Sequence, residues 1–321
     1  METGYWFVAG LVLLFAGGEL VVRGAVGAAE RLKVSRLLIG LVVVACATSS
    51  PELVLSLKAV AESAPEIAIG NVVGSNIANI LLVLGFGALL MPVSVSRLMI
   101  ARDGAVLIAA TAFLLYVGWH YEEITPEAGI LLIGALSVYL VLAYIRESAA
   151  PTRTGPAQIP EAVDDRPFAL PLSLGMLALG VAGLLIGADL LVDSSIAIAE
   201  ALGVPEAVIA ISMIAVGTSL PELATILIAA MRKHSDIAVG AILGSNIFNI
   251  LAVLGITALV EPVLVDRDFY VLDFWVMGGT SLALVLLMMA VPRIGRVAGL
   301  VMLLAYAAYM WALYNGVFFT V

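Results

Sequence analysis

Charge is scarce in this chain of 321 residues, and histidine and cysteine are rarer still. Only 12% of the residues are Asp, Glu, Lys or Arg, against roughly 25% in soluble domains, which excludes an ordinary soluble enzyme. The 15 basic residues are outnumbered by 24 acidic ones, which argues against a nucleic-acid partner because phosphate binding needs a basic face. One cysteine and two histidines exclude an intramolecular disulfide and a His/Cys metal cluster. No basic segment precedes the first apolar run, so we expect that run to be retained as a helix and not cleaved as a signal peptide.

Apolar residues dominate instead, at 63% of the chain, and they raise its mean hydropathy to +1.14. A helix crosses a bilayer with about 20 apolar residues. The sequence predicts an all-α integral membrane protein with ten transmembrane helices, at about residues 5–22, 37–57, 67–91, 103–119, 127–145, 169–192, 207–230, 237–260, 270–290 and 294–318. One polar segment rich in Pro and charge predicts a linker at 147–167 between two membrane domains at 1–146 and 168–321.

The basic residues are distributed unevenly between the two sides that these spans define. Thirteen of the 15 fall in one set of connectors, and only Lys58 and Arg267 fall in the other set. Lys and Arg mark cytoplasmic loops. We therefore predict a multi-pass protein of the plasma membrane with both termini outside and the 147–167 linker in the cytoplasm. We interpret the many acidic residues of the external connectors as a solvated surface.

The two halves of the sequence are copies of each other, offset by 170 residues. Residues 45–85 align without a gap with residues 215–255 and share 21 of 41 positions. At the same offset Asp103 corresponds to Asp273. Each half holds five predicted spans, an odd number, so the second copy must enter the membrane from the opposite side. Inverted repeats are typical of secondary transporters, which bind their substrates near the membrane midplane between the copies.

The first repeated motif places a proline and a glutamate inside a predicted span. It reads Thr48-Ser49-Ser50-Pro51-Glu52-Leu53 in one copy and Thr218-Ser219-Leu220-Pro221-Glu222-Leu223 in the other. Proline removes a backbone hydrogen bond, and a carbonyl freed at membrane depth must be satisfied by protein, water or an ion. A carboxylate at the bilayer centre costs about 3 kcal/mol, and no Lys or Arg lies within these two spans. A structural role for the pair is possible, but we predict a functional one.

The second repeated motif supplies neutral oxygens. It reads Gly74-Ser75-Asn76-Ile77-Ala78-Asn79, and again Gly244-Ser245-Asn246-Ile247-Phe248-Asn249. Residues four apart share a helix face, so each copy presents a hydroxyl and an amide together. Taken alone, the motif is explained equally well by close helix packing and interhelical hydrogen bonds.

Together the two motifs offer oxygen ligands of several kinds, which select hard cations. Six to eight oxygens suit Ca²⁺ better than Mg²⁺, which keeps its waters. Two carboxylates balance the charge of one Ca²⁺ or of two Na⁺. The motifs therefore predict a cation transporter without choosing the cation.

Both motifs, their spacing and the inverted duplication resemble the Ca²⁺:cation antiporter superfamily, and most closely its prokaryotic sodium/calcium exchanger branch. The resemblance covers both halves of the chain. It implies a sodium/calcium exchanger fold of ten helices in two inverted five-helix repeats, with cation sites at its centre. In such a fold the first and sixth helices slide across the core to expose the sites to alternate sides. The implied partners are Ca²⁺ and Na⁺ as substrates and the lipid bilayer, with no cofactor and no protein partner.

The resemblance also implies a role for each motif residue. Glu52 and Glu222 are then the bidentate Ca²⁺ ligands, helped by the backbone carbonyls of Thr48 and Thr218. The Na⁺ sites and the middle position are completed by Ser49, Ser219, Ser75, Ser245, the carbonyls of Ala45 and Ala215, and the amides of Asn79 and Asn249.

Na⁺/Ca²⁺ antiport is the leading hypothesis among several that the residues leave open. A cation/proton antiporter could use the same glutamates, and a passive cation channel could also line its pore with them. An intramembrane enzyme would need an acidic pair in a GxGD-like context, which the sequence lacks. We therefore do not expect an enzyme.

Overall fold

The computed structural model describes residues 2–95, 100–149, 168–201, 217–265 and 272–315, and these form an all-α protein. Nine helices of this part are long and apolar enough to cross a membrane, and a shorter apolar helix starts at Leu220. Residues 202–216, which precede that helix, lie outside the described part, as do residues 150–167 of the predicted linker. The helices are α1 Glu2–Leu32, α2 Arg36–Ala61, α3 Pro65–Leu90, α4 Ile100–Tyr121, α5 Pro126–Ala149, α6 Leu170–Ala201, α7 Leu220–Met231, α8 Ser235–Val260, α9 Asp273–Ala290 and α10 Arg296–Tyr314.

The first and sixth helices are longer than the apolar runs that predicted them. The run predicted to end at residue 22 continues as helix to Leu32, and the run predicted to end at residue 192 continues to Ala201. Hydropathy marks where a chain crosses a bilayer, whereas a helix ends only where its backbone hydrogen bonding ends. Charged residues such as Arg23 therefore lie inside α1.

Packing separates the helices into a buried centre and an exposed rim. The most apolar stretches of α3 and α8 are 78% and 94% buried within the protein, against 28% for α5 and 17% for α10. An apolar surface left exposed on spanning helices faces lipid. The two most buried helices, α3 and α8, carry the Ser/Asn motifs, so those motifs lie in the core.

Two short antiparallel ladders each join a strand of one repeat to a strand of the other. In the first ladder, strand β1 (Val93–Ser94) pairs with strand β4 (Arg293–Ile294). In the second, strand β2 (Glu123–Ile124) pairs with strand β3 (Val263–Leu264). If 170 is added to the residue numbers of β1 and subtracted from those of β4, the residue pairs of the first ladder become those of the second. The predicted duplication is therefore a two-fold relation in space.

The same relation holds for single hydrogen bonds. The hydroxyl of Tyr139 on α5 donates to Asp103 on α4 over 2.8 Å. Its counterpart Tyr309 on α10 donates to Asp273 on α9 over 2.6 Å. A buried carboxylate needs such donors, and both repeats supply them in the same way.

Helices α1 and α6 cross in direct backbone contact. A Cβ atom added to Gly17 would lie 2.7 Å from the carbonyl oxygen of Gly180, and one added to Gly10 would lie 2.9 Å from that of Gly187. Only glycine allows two helices to approach so closely. Gly10 of α1 lies beside Gly187 of α6, and Gly17 lies beside Gly180. The two helices are therefore antiparallel, as expected for inverted copies.

Candidate cation-binding site

Each predicted glutamate stands in the first turn of a helix that follows a break. Ser49 leaves helical geometry at φ −84° and ψ 11°, and the helix resumes at Ser50 with Pro51 in its first turn. Ser219 does the same at φ −87° and ψ 3°, ahead of Pro221. Proline is tolerated there because first-turn N–H groups have no helical partner. In both copies the repeated Thr-Ser-x-Pro-Glu motif therefore starts a helix after a non-helical serine, with the glutamate in its first turn.

The two glutamate side chains are buried and close enough to repel each other. Glu52 is 0% exposed and Glu222 is 2% exposed, and the carboxylate of Glu52 lies within reach of the charge of Glu222. Neither glutamate takes part in a salt bridge among the residues that the structure describes. A buried uncompensated charge is costly, so this pair needs neutralisation by a bound cation or by protons.

The hydroxyl groups around the glutamates come from both repeats. Ser49 donates to Glu222 over 3.2 Å, and Ser245 donates to the same oxygen over 3.4 Å. The side chains of Ser75 and Thr218 lie beside the carboxylate of Glu52. Each glutamate thus meets a serine of its own repeat and a hydroxyl residue of the other repeat. The candidate site is shared by the two copies.

Several buried polar atoms of the site lack a hydrogen-bond partner within the described part of the chain. These atoms are both carboxylate oxygens of Glu52, the Oε2 of Glu222, the Oγ of Ser219 and the amide groups of Asn79 and Asn249. Buried polar atoms in proteins nearly always have partners. A cluster of orphaned oxygens with two negative charges has the chemistry of a hard-cation site.

The remaining predicted ligands take these positions. Ala45 and Thr48 are buried, and the Thr48 hydroxyl lies 3.4 Å from both the Ala45 carbonyl oxygen and the Ser245 hydroxyl. Asn79 and Asn249 are 0% exposed, and each begins a π-helical segment, a distortion frequent at functional sites. Ala215 lies outside the described residues.

Sequence reasoning missed three further asparagines of the core. The amide of Asn76 donates to the backbone oxygen of its own counterpart, Asn246, over 3.3 Å, and so joins α3 to α8 across the two-fold relation. The amide of Asn71 donates to the backbone oxygen of Glu52 over 2.9 Å. The Asn76 and Asn246 pair was visible in the repeated motif. Asn71 was hidden because its counterpart is Ala241.

A duplicated, membrane-spanning helical fold with an anionic, oxygen-only cluster at its centre defines a secondary transporter of hard cations. The sequence profile described as "Sodium/calcium exchanger protein" matches residues 3–145 and 172–315 of this chain. The chain therefore belongs to the sodium/calcium exchanger family, which confirms the resemblance to the prokaryotic branch of the Ca²⁺:cation antiporters.

Individual relatives match over nearly their whole length. CaxA of Alkalimonas amylolytica, described as an antiporter, is 37% identical over 96% of this chain and 97% of its own. The sodium/calcium exchanger MaX1 of Methanosarcina acetivorans is 32% identical over 95% and 96%. A structure of the sodium-calcium exchanger NCX_Mj superposes with a TM-score of 0.82 at 32% identity, covering 97% of this chain and 98% of that one. The predicted fold of ten helices in two inverted repeats is thereby confirmed.

Proposed function

We propose that this protein exchanges Na⁺ for Ca²⁺ across the plasma membrane by alternating access. The observation that carries the proposal is the buried pair Glu52 and Glu222, which lies between the two repeats and retains carboxylate oxygens without donors among the described residues. One Ca²⁺ or two Na⁺ would balance two carboxylates, so the two ions compete for one region. Competition for a single region is what antiport requires.

The ligands divide according to the charge of the ion. The two glutamates would bind Ca²⁺, with the backbone carbonyls of Thr48 and Thr218 beside them. The hydroxyls and the carbonyls of Ala45 and Ala215 would complete the Na⁺ sites, and the two amides would line the middle position. The residues concerned are Ser49, Ser75, Ser219, Ser245, Asn79 and Asn249. On this proposal the protein is a transporter and not an enzyme, and it needs no resident cofactor.

Access would alternate by movement of α1 and α6 over the core. The close backbone contact between these two antiparallel helices supports their movement as one unit. The positive-inside distribution of Lys and Arg supports external termini and a cytoplasmic linker at 147–167.

Flux into reconstituted vesicles tests the proposal. With the pH clamped on both sides, Ca²⁺ uptake should follow an outward Na⁺ gradient and should stop when the Na⁺ concentrations are equal. A K⁺ gradient of equal size serves as the control. Uptake driven by a proton gradient and indifferent to Na⁺ would establish a Ca²⁺/H⁺ antiporter, and Ca²⁺ flux that needs no counter-ion would establish a channel.

A further inference from the structure

Helix α3 extends its polar stripe one turn beyond the predicted ligands. Asn71, Ser75 and Asn79 are spaced by four residues and so share one helix face. Asn71 is 7% exposed, and its side-chain amide donates over 2.9 Å to the backbone oxygen of Glu52 and over 3.0 Å to the hydroxyl of Ser56. A carbonyl oxygen has a second lone pair, so it can accept this bond in addition to its helical one. The bond ties the backbone of a candidate ligand on α2 to the helix that carries Ser75.

The second repeat has no equivalent of this tie. The positions that correspond to Asn71 and Ser56 hold Ala241 and Ile226, neither of which has a polar side chain. Hydroxyl groups lie beside both carboxylates, since Ser49 and Ser245 donate to Glu222 and the side chains of Ser75 and Thr218 lie beside Glu52. The tie through Asn71 to the backbone of Glu52 is therefore what distinguishes the two glutamates.

We propose that Asn71 is a positioning residue that holds the backbone of Glu52 against α3 and so sets where its carboxylate meets a cation. This inference rests on the proposed function, in which Glu52 binds Ca²⁺. Asn71 itself uses its amide donors on Glu52 and Ser56 and acts only through the glutamate. Groups that orient a metal ligand typically change metal affinity by about 10–100-fold when they are removed.

The test compares variants of the full-length protein in detergent by Ca²⁺ titration calorimetry. Asn71→Leu keeps the branching of the side chain at Cγ but removes its donors, and it should raise the Ca²⁺ dissociation constant about tenfold. Asn71→Ala, which copies the second repeat, should do the same and replaces the leucine variant if that one does not fold. Ser56→Ala is the matched control: it removes the second acceptor of Asn71 but leaves the bond to Glu52, so the dissociation constant should stay within twofold.

The possible outcomes separate this inference from the proposed function. If Asn71 only packs the core, its variants will melt at lower temperature without Ca²⁺ while the dissociation constant stays the same, and the inference is overturned. An equal loss of affinity in Ser56→Ala would also overturn it, because the bond to Glu52 would then not be the cause. If Glu52→Gln binds Ca²⁺ as tightly as the parent protein, the proposed site itself is wrong. Loss of binding in Glu52→Gln with unchanged binding in the Asn71 variants refutes Asn71 alone.

Discussion

At the residue scale, the two glutamates carry all of the negative charge that the described part of the candidate site offers. The two glutamates occupy equivalent positions in the two copies, but their surroundings differ. The backbone oxygen of Glu52 accepts from Asn71, whereas the position equivalent to Asn71 in the second copy holds Ala241. An inverted repeat therefore does not make the two halves of its site identical, because each copy was free to change its supporting residues.

Neutralising either glutamate should abolish Ca²⁺ transport. Removing one partner of a buried ion pair costs about 3–5 kcal/mol, which corresponds to at least ~100-fold in affinity. We expect Glu52→Gln and Glu222→Gln each to lose Ca²⁺ uptake by that factor while still inserting in the membrane. Glu66→Gln, at an exposed position in the first turn of α3, is the matched control and should transport normally. Uptake near the parental rate in either buried variant would show that the substituted glutamate is not a Ca²⁺ ligand.

At the element scale, the contact between α1 and α6 is made by backbone on backbone. Their glycines leave no room for a side chain at the crossing, whereas a Cβ atom at Gly4 of α1 or at Gly175 of α6 would meet no atom within 4 Å. The chain therefore offers glycines of both kinds on the same two helices. The contrast separates an effect of close packing from an effect of helix propensity.

Gly17→Ala should separate the two helices and impair the protein. The added Cβ would lie 2.7 Å from the backbone of α6, and overpacking of this kind costs about 1–3 kcal/mol. We expect a lower melting temperature in detergent and slower exchange. Gly175→Ala adds the same methyl group without a clash and should match or exceed the parental stability, since alanine favours helix. Equal behaviour of the two variants would show that α1 and α6 are not held together by this crossing.

At the scale of the whole molecule, a charged contact joins α1 to α7. Glu19 on α1 bonds to Arg232, which directly follows α7, and also to Arg23 one turn further along its own helix. The positions related to these by the repeat hold Asp189, Glu62 and Asp193, which are all acidic. The same bridge cannot form at the opposite end, so the two ends of the molecule are not equivalent.

Glu19→Gln should change the rate of exchange and not the affinity for Ca²⁺. If α1 slides over the core, the bridge to Arg232 must break in each cycle. A partly exposed bridge contributes up to about 1 kcal/mol, so we expect the maximal rate to rise by up to ~5-fold. The half-saturating Ca²⁺ concentration should stay within twofold, since Glu19 is not among the candidate ligands. Lys58→Gln, which breaks an exposed pair with Glu62, is the control; an unchanged rate in Glu19→Gln would exclude the bridge from the transport cycle.

The sequence by itself determined the fold class and the duplication, and it named most of the residues that the structure brings together at the candidate site. Each of these depends on a local signal: apolar length for a span, and a proline and a glutamate inside a span for a broken helix with a buried charge. The offset of 170 residues predicted pairs such as Asp103 and Asp273, which the structure places in matching hydrogen bonds. The role of each candidate ligand, Ala215 included, and the domain boundaries at 146 and 168 remain predictions.

Only the tertiary structure decided which helices meet and which residues support the ligands. The length of α1 was wrong in the sequence prediction because hydropathy reports burial in lipid and not helix ends. Asn71 escaped notice because it acts through a hydrogen bond to the backbone of another helix, and such a bond leaves no periodicity or repeat in the sequence. Ser49 meets the glutamate of the other repeat because the two copies interlock. Contacts between distant segments depend on how the helices pack in three dimensions, and that packing sums many weak interactions that no short motif encodes.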